Sequence, residues 1–335
     1  MRDLSVEFRS QDQTLRPVDS VSYELRPGET LGIVGESGSG KTTSVLALLG
    51  LLPELRDLHI TGDVQLDGRD LLRMSSRQRR RMLGAQVGVI FQDPLTSLNP
   101  VLTVGRQITE VIEAHTQVNH REAQQRAIDL LELVGIPQPD ARVRQYPHEL
   151  SGGLRQRVMI AIAIANRPAL LIADEATTAL DVTIQAQVIE VFRQAKTEIG
   201  AAAIVISHDL GVIAELADHV LVMYAGRVIE SGPVDVIFNV PRHPYTSALL
   251  ACRPRLEART ERLASIPGRP PELTAIPSGC PFHPRCPLGA DKKICAEETP
   301  QLRAVGDGHH AACHFAEEVT RLDHANDGRE AAVAK

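Results

Sequence analysis

Short apolar runs separated by polar turns recur along this chain. Thr30-Leu31-Gly32-Ile33-Val34, Gln86 to Phe91, Ala169 to Ala173 and Ala202 to Ile206 are nearly continuous apolar stretches. Such runs read as strands buried on both faces. After the first, Val45, Leu46, Leu48, Leu49 and Leu52 fall at helical spacing. Strands that alternate with helices predict an α/β fold.

Other stretches depart from that rhythm. Leu4, Val6 and Phe8 alternate, and Val21 to Leu25 alternates again before the turn Arg26-Pro27-Gly28-Glu29. Both predict strands with one buried face. Ile60 to Asp67 predicts a strand closed by Asp67-Gly68. Val220 to Tyr224 and Arg227 to Glu230 predict a hairpin around Ala225-Gly226. From Thr103 to Val134 the period becomes helical, with Asn119 and Glu122 spaced as a capping box ahead of Ala127, Leu130, Leu131 and Val134. Gly135-Ile136-Pro137 ends it. This stretch interrupts the core alternation and reads as a helical insertion. The run Arg73, Arg77, Arg79, Arg80, Arg81 reads as a solvated helix face.

Composition narrows the class. At 335 residues the chain has room for two domains. Trp is absent and the net charge is −6, which argues against stacking platforms for single strands and against nucleic acid as a partner. No signal peptide and no membrane-spanning run are evident. The nearest candidate, Val158 to Ala173, is broken by Asn166-Arg167-Pro168. A soluble or peripheral protein is expected. Four of the five cysteines lie between Cys280 and Cys313, which suggests metal ligation in a reducing compartment.

The first buried run leads into Gly35-Glu36-Ser37-Gly38-Ser39-Gly40-Lys41-Thr42, the pattern of a phosphate-binding loop. Glycines let successive N–H groups converge on an anion, and the following helix adds the positive end of its dipole. Lys41 can reach outer phosphates, and the Thr42 hydroxyl can ligate magnesium. Ser151-Gly152-Gly153 precedes a second helical run and is another anion site by the same reasoning. Ala169 to Ala173 ends in Asp174-Glu175, an acid pair placed to hold magnesium and to orient or deprotonate an attacking water. Gln92 and His208 follow the ends of two further strands, where ligands collect in parallel sheets. Phe8 suits either an adenine ring or the core.

The order of these motifs, with Leu150-Ser151-Gly152-Gly153 and Ala179-Leu180-Asp181 among them, resembles the nucleotide-binding subunit of an ATP-binding-cassette (ABC) transporter. The resemblance implies a phosphate-loop ABC ATPase domain over residues 1–235, with a helical subdomain at about 96–165, and a small irregular metal-binding domain over 236–335 that ends in a flexible tail. It implies ATP held between two chains, each phosphate loop facing the partner's Ser151-Gly152-Gly153. Gly35, Ser37, Gly38, Gly40, Lys41, Thr42 and Thr43 would hold ATP, with Phe8 beside it. Thr42, Gln92 and Asp174 would hold Mg2+. Glu175 would act as base, with His208 as switch and Gln92 as sensor, and Asp181 would lie at the dimer seam. Leu154 and Ala176 depart from the family's usual Gln and Pro, without removing a charged group.

Gln92 to Pro100, Arg242-His243-Pro244-Tyr245 and Gly279 to Cys286 are similar to the dipeptide and oligopeptide importers within the peptide and nickel group. That resemblance implies ATP hydrolysis that powers peptide import. The partners would be a second homologous ATPase, two permease subunits and an extracytoplasmic binding protein. The place would be the cytoplasmic face of a bacterial inner membrane. A nickel importer is the near alternative. A DNA-repair ABC ATPase is the distant one, and it would need coiled-coil arms or a second cassette. Cys280, Cys286, Cys295 and Cys313 suit zinc or an iron–sulfur cluster. The importer resemblance implies a 4Fe–4S cluster.

Overall fold

The computed structural model describes residues 1–9, 13–53, 57–177, 180–252 and 265–319. Ala179 and the tail from residue 320 lie outside them. The strands in chain order are β1 Arg2–Arg9, β2 Thr14–Val21, β3 Thr30–Val34, β4 Leu58–Asp63, β5 Gln65–Leu66, β6 Arg69–Asp70, β7 Val87–Ile90, β8 Leu170–Asp174, β9 Ala202–Ile206, β10 His219–Tyr224, β11 Arg227–Pro233, β12 Arg303–Gly306 and β13 His309–Ala311.

Among the described residues the main sheet has the order β12-β13-β11-β10-β3-β9-β8-β7. The five strands from β10 to β7 run parallel. All of β3 and β9 is buried, because both faces of the sheet are covered. Two apolar clusters cover those faces. One joins Val34, Ile90, Ala173 and Val205 to the helices Val104–His115, His120–Leu133, Gly152–Ile164 and Val182–Ile199. The other joins Leu31, Ile33, Ile172 and Ile204 to the helix Lys41–Leu49 and the small antiparallel sheet β2-β1-β4.

The expected strand at Val21 to Leu25 lies one segment earlier, in β2. Pro17 hides β2 from the pattern, yet β2 is an edge strand, where proline is tolerated. Asp3 (φ +48°) and Ser20 (φ +55°) break the ladder near its end, and Met1 and Tyr23 prolong the pairing, with Tyr23 N–H donating to the Met1 carbonyl (3.1 Å) and the Met1 ammonium to the Tyr23 carbonyl (3.0 Å). The strand expected from Ile60 to Asp67 divides into β4 and the small β5–β6 hairpin, whose turn does fall at Asp67-Gly68. The Asn119 cap is half of a box: its side chain accepts from Glu122 N–H (3.0 Å), but the Glu122 carboxylate turns to Arg126 (2.9 Å). Ser75 and Gln78 make a full capping box ahead of the arginine helix Ser76–Met82. Among the described residues no helix is long and apolar enough to cross a membrane.

The segment after residue 265 is mostly turns, yet its two strands extend the main sheet. β13 pairs with β11 through Glu230–Ala311 and Ser231–His310. The wholly buried Glu230 accepts the N–H groups of Arg242 (2.5 Å) and His243 (3.0 Å), and its carboxylate meets His309 Nε2 at 2.8 Å.

Candidate active site

The parallel strands deliver the predicted residues to one edge of the sheet. β3 ends at the phosphate loop, β7 two residues before Gln92, β8 at Asp174 and β9 two residues before His208. This is the carboxyl edge, where open α/β sheets bind ligands. The loop needs its glycines: Gly40 has φ +98°, and a Cβ there would stand 2.2 Å from the Pro17 carbonyl oxygen. A Cβ on Gly35 would stand 2.3 Å from the Met223 carbonyl oxygen.

Lys41 opens the helix, and its ammonium donates to the carbonyls of Gly35 (2.7 Å) and Glu36 (2.8 Å) and to Ser39 Oγ (3.4 Å). Burial lowers its pKa, against the pull of Glu175, Asp174 and Glu36. Thr42 is exposed and donates its hydroxyl proton to Asp174 Oδ1 at 3.1 Å, while Thr43 is half-buried in the same turn. Burial pushes the Asp174 carboxyl up; the Thr42 hydrogen bond opposes this and the neighbouring Glu175 carboxylate adds to it. A hard cation among the oxygens of Thr42, Asp174 and Gln92 fits that donor set.

Gln92 donates from Nε2 to Glu175 Oε2 at 3.1 Å, and His208 Nδ1 stands 3.4 Å from the same oxygen. Glu175 is held at φ +49°, with its N–H bonded to the Ile206 carbonyl at 2.9 Å. A non-glycine residue in the left-handed region just after a strand turns its side chain away from the sheet axis. The fold therefore gathers Lys41, Thr42, Asp174, Glu175, Gln92 and His208.

Others stand apart. Ser151 and Gly152 are exposed, and Ser151 caps the helix Gly152–Ile164 by accepting from Leu154 N–H at 3.4 Å. Asp181 is exposed and caps the helix Val182–Ile199 through Ile184 N–H at 3.0 Å. Leu154 and Ala176 are half-buried apolar contacts of the main cluster. A groove of about 260 Å³ lies between Gln92 to Leu95 and Gly152, Arg155, Gln156 and Leu180. Leu95, at its rim, is 64% exposed.

Ser37 and Gly38 are exposed and line a second cleft of about 380 Å³. Leu15 lines that cleft; Phe8, paired with Leu15 across the ladder, does not, and its half-buried ring packs on the second cluster. Pro270, Pro271, Glu272, Leu273 and Thr274 form the far wall. Sequence reasoning missed that wall, and also Gln185, whose Nε2 donates to Asp209 Oδ2 at 3.0 Å beside His208. No local pattern marks either.

The four cysteine thiols share one region. Cys280, Cys286 and Cys295 are buried. Burial raises the pKa of all four, Cys280 to about 11 and Cys313 to about 12, and Cys280, Cys286 and Cys295 raise Cys313 further. Backbone N–H groups of Phe282, His283, Leu288, Gly289 and Phe315 donate to Cys280, Cys286 and Cys313. A Cβ on Gly289 would lie 2.9 Å from Cys295 Sγ and 3.5 Å from Cys286 Sγ. The donor chemistry suits a thiolate-bound metal. The expected closed site is not formed, however: among the described residues no group of three or more His, Cys, Asp or Glu is disposed to hold a metal ion.

Residues 18–178 match the ABC transporter family, and residues 229–295 match the oligopeptide/dipeptide transporter C-terminal region. The chain is 50% identical over 312 residues to the dipeptide transport ATP-binding protein DppD of Escherichia coli (strain K12), covering 93% of this chain and 94% of that one. It is 51% identical over 320 residues to the oligopeptide transport ATP-binding protein OppD of Mycobacterium tuberculosis, covering 95% of this chain and 52% of that one. It thus spans about half the length of the mycobacterial relatives it matches. In structure it is similar to the dimeric ATP-binding cassette MJ0796 in a post-hydrolysis state bound to ADP and Pi, with TM-score 0.60, 23% identity and coverage of 70% of this chain and 97% of that one. The cbiO1 protein of Clostridium perfringens, part of the ABC transporter complex cbiONQ, superposes with TM-score 0.58 at 25% identity, over 71% of this chain and 90% of that one.

Proposed function

This chain belongs to the ABC transporter ATP-binding proteins of the oligopeptide/dipeptide branch, and from that premise we propose that it hydrolyses ATP to drive import of peptides. The observation that carries the reading is the convergence of Thr42 with Asp174 and of Gln92 and His208 with Glu175 at the carboxyl edge of one sheet.

In this reading the N–H groups from Gly35 to Thr43, including those of Ser37, Gly38 and Gly40, cradle the phosphates. Lys41 exchanges the loop's own carbonyls for phosphate oxygens. Mg2+, held by Thr42, Asp174 and Gln92, supplies charge neutralisation when bound. Glu175 accepts the proton of the attacking water, Gln92 and His208 hold the carboxylate that receives it, and Phe8 would act toward the base only through Leu15, its ladder partner that lines the cleft. Ser151, Gly152 and Asp181 are exposed at helix starts, with Gly153 half-buried beside them, so they serve the nucleotide of a second, homologous ATPase subunit. ATP closes the pair and hydrolysis reopens it.

Two permease subunits receive this motion at the groove beside Gln92, where the exposed Leu95 offers an apolar contact. An extracytoplasmic binding protein delivers cargo, and the chain sits peripherally at the cytoplasmic face of the inner membrane. Cys280, Cys286, Cys295 and Cys313 would hold a 4Fe–4S cluster, with zinc as the alternative, once the thiols are drawn together. Residues 1–235 form the ATPase unit, with its helical part at about 96–165, and 236–335 the C-terminal unit.

The test is the transporter reconstituted in vesicles with permeases and binding protein. Di- and oligopeptides are expected to stimulate ATP hydrolysis and to accumulate inside. Stimulation by Ni2+ and by no peptide would assign the cargo to nickel.

A further inference from the structure

Arg285 lies between two of the cysteines, 249 positions from the phosphate loop, yet it holds that loop. It ends the short helical turn His283–Arg285, and its side chain is 5% exposed. Nη1 donates to Glu36 Oε2 at 2.7 Å and Nη2 to Glu36 Oε1 at 3.0 Å, a bidentate pair. Nη1 also donates to Tyr224 Oη at 3.2 Å, and Nε donates to the Pro267 carbonyl at 2.9 Å. The guanidinium sits 5.8 Å from the ring centroids of both Tyr224 and Phe282. Every guanidinium nitrogen is engaged.

Glu36 is the second residue of the loop. Its backbone N–H donates to Tyr245 Oη at 2.7 Å, and its carbonyl accepts from Lys41 Nζ at 2.8 Å. The side chain and the N–H of Glu36 are therefore both fixed from the C-terminal third of the chain. A carboxylate in a loop that binds phosphate is an electrostatic liability, because like charges repel most strongly where water is partly excluded. Arg285 cancels that charge. Through Pro267 it also anchors the segment that leads to Pro270–Thr274, the wall facing Ser37 to Ser39.

We propose that Arg285 is a positioning residue for the phosphate loop: it neutralises and orients Glu36, so the cysteine-bearing segment sets how tightly the loop holds nucleoside triphosphate. The proposal rests on the reading of Gly35 to Thr42 as the ATP-binding loop. It makes Arg285 act through Glu36 and not on the phosphates directly.

The test is equilibrium binding of labelled ATP to the full chain, with steady-state hydrolysis in the assembled transporter. Arg285→Met is expected to weaken ATP binding about tenfold and to raise KM likewise, with kcat within about twofold of wild type. Adding Glu36→Gln is expected to return the affinity of that variant to within about threefold of wild type, since the uncompensated charge is then gone. A purely architectural role for Arg285 would show no such rescue. Arg285→Lys, which keeps the charge and loses the fork, is expected to fall between. Unchanged ATP affinity in Arg285→Met, or a double variant no better than the single one, would overturn the proposal. Should Arg285→Met not fold, the comparison passes to Arg285→Lys with and without Glu36→Gln, read by the same criterion. Lys41→Ala separates the two readings: wild-type ATP affinity in that variant would refute the loop assignment itself.

Discussion

Gln92 and Glu175 are joined by a 3.1 Å hydrogen bond from Nε2 to Oε2, and His208 faces the same carboxylate oxygen at 3.4 Å. Three strand ends thus meet on one atom. The group proposed to accept the proton of water is held by a hydrogen bond from Gln92, with the His208 ring nitrogen close to the same oxygen.

From this follows the first prediction. Glu175→Gln keeps the shape and loses the base. ATP hydrolysis by the assembled transporter, measured as phosphate release, is expected to fall by about 10²- to 10⁴-fold, with ATP binding retained. Near wild-type turnover would remove Glu175 from the mechanism.

Asp174 offers a stability test. Burial and the adjacent Glu175 hold its carboxyl above the usual carboxylate range. The folded pKa exceeds the unfolded one, so the ionised group opposes folding once pH rises past the unfolded value. In magnesium-free buffer at neutral pH, Asp174→Asn is expected to melt a few degrees higher than wild type, at about 2–4 °C per kcal/mol. The difference should shrink as pH falls and vanish below about pH 4, the unfolded carboxyl's own range, and hydrolysis should be lost. A variant that melts lower would show that the Thr42 hydrogen bond outweighs desolvation.

His243 is buried and held neutral, its pKa pushed down to about 3 by desolvation, while Nδ1 accepts from Tyr245 N–H at 3.1 Å. A folded pKa below the unfolded one leaves stability intact above pH 6.5 and erodes it as pH falls toward 3. The extra slope is at most about 1.4 kcal/mol per pH unit. His243→Asn can still cap the helix Pro244–Ala251. Urea titrations across this range should show a shallower pH dependence for the variant. Parallel curves would mean that the imidazole takes up its proton in place.

Gly289 tests the thiol region. A methyl there would press on Cys295 Sγ at 2.9 Å and come into contact with Cys286 Sγ at 3.5 Å. Gly289→Ala is expected to lower the iron and sulfide content of anaerobically purified protein well below that of wild type. Zinc in place of iron in the wild-type protein would decide for the alternative ion.

The parallel strands were legible in the sequence because a strand buried on both faces must be nearly continuously apolar, as β3, β8 and β9 are apart from Thr30 and Asp174 at their ends. The polar residues at their ends were legible once the loop Gly35 to Thr42 gave them a common ligand. β2 was hidden by Pro17, which only an edge strand accommodates. β12 and β13 were hidden for another reason: they are short, and β12 is largely exposed, so their pairing depends on a distant strand and not on their own pattern. The contact of Arg285 with Glu36 has no local signature either, since nothing near either residue specifies the other. The cysteines were legible as a set from their clustering between Cys280 and Cys313.

The pairing of β13 with β11 also bears on synthesis. The nucleotide motifs are complete when His208 leaves the ribosome, and β11 follows soon after. β11 pairs at once with β10, but its second partner emerges only with His309 to Ala311. Until then a nascent chain carries an unpaired sheet edge and a buried-type carboxylate, Glu230, without His309. The ATPase therefore matures last at the edge farthest from its chemistry, and a chain interrupted before residue 311 would present its motifs on an unfinished sheet.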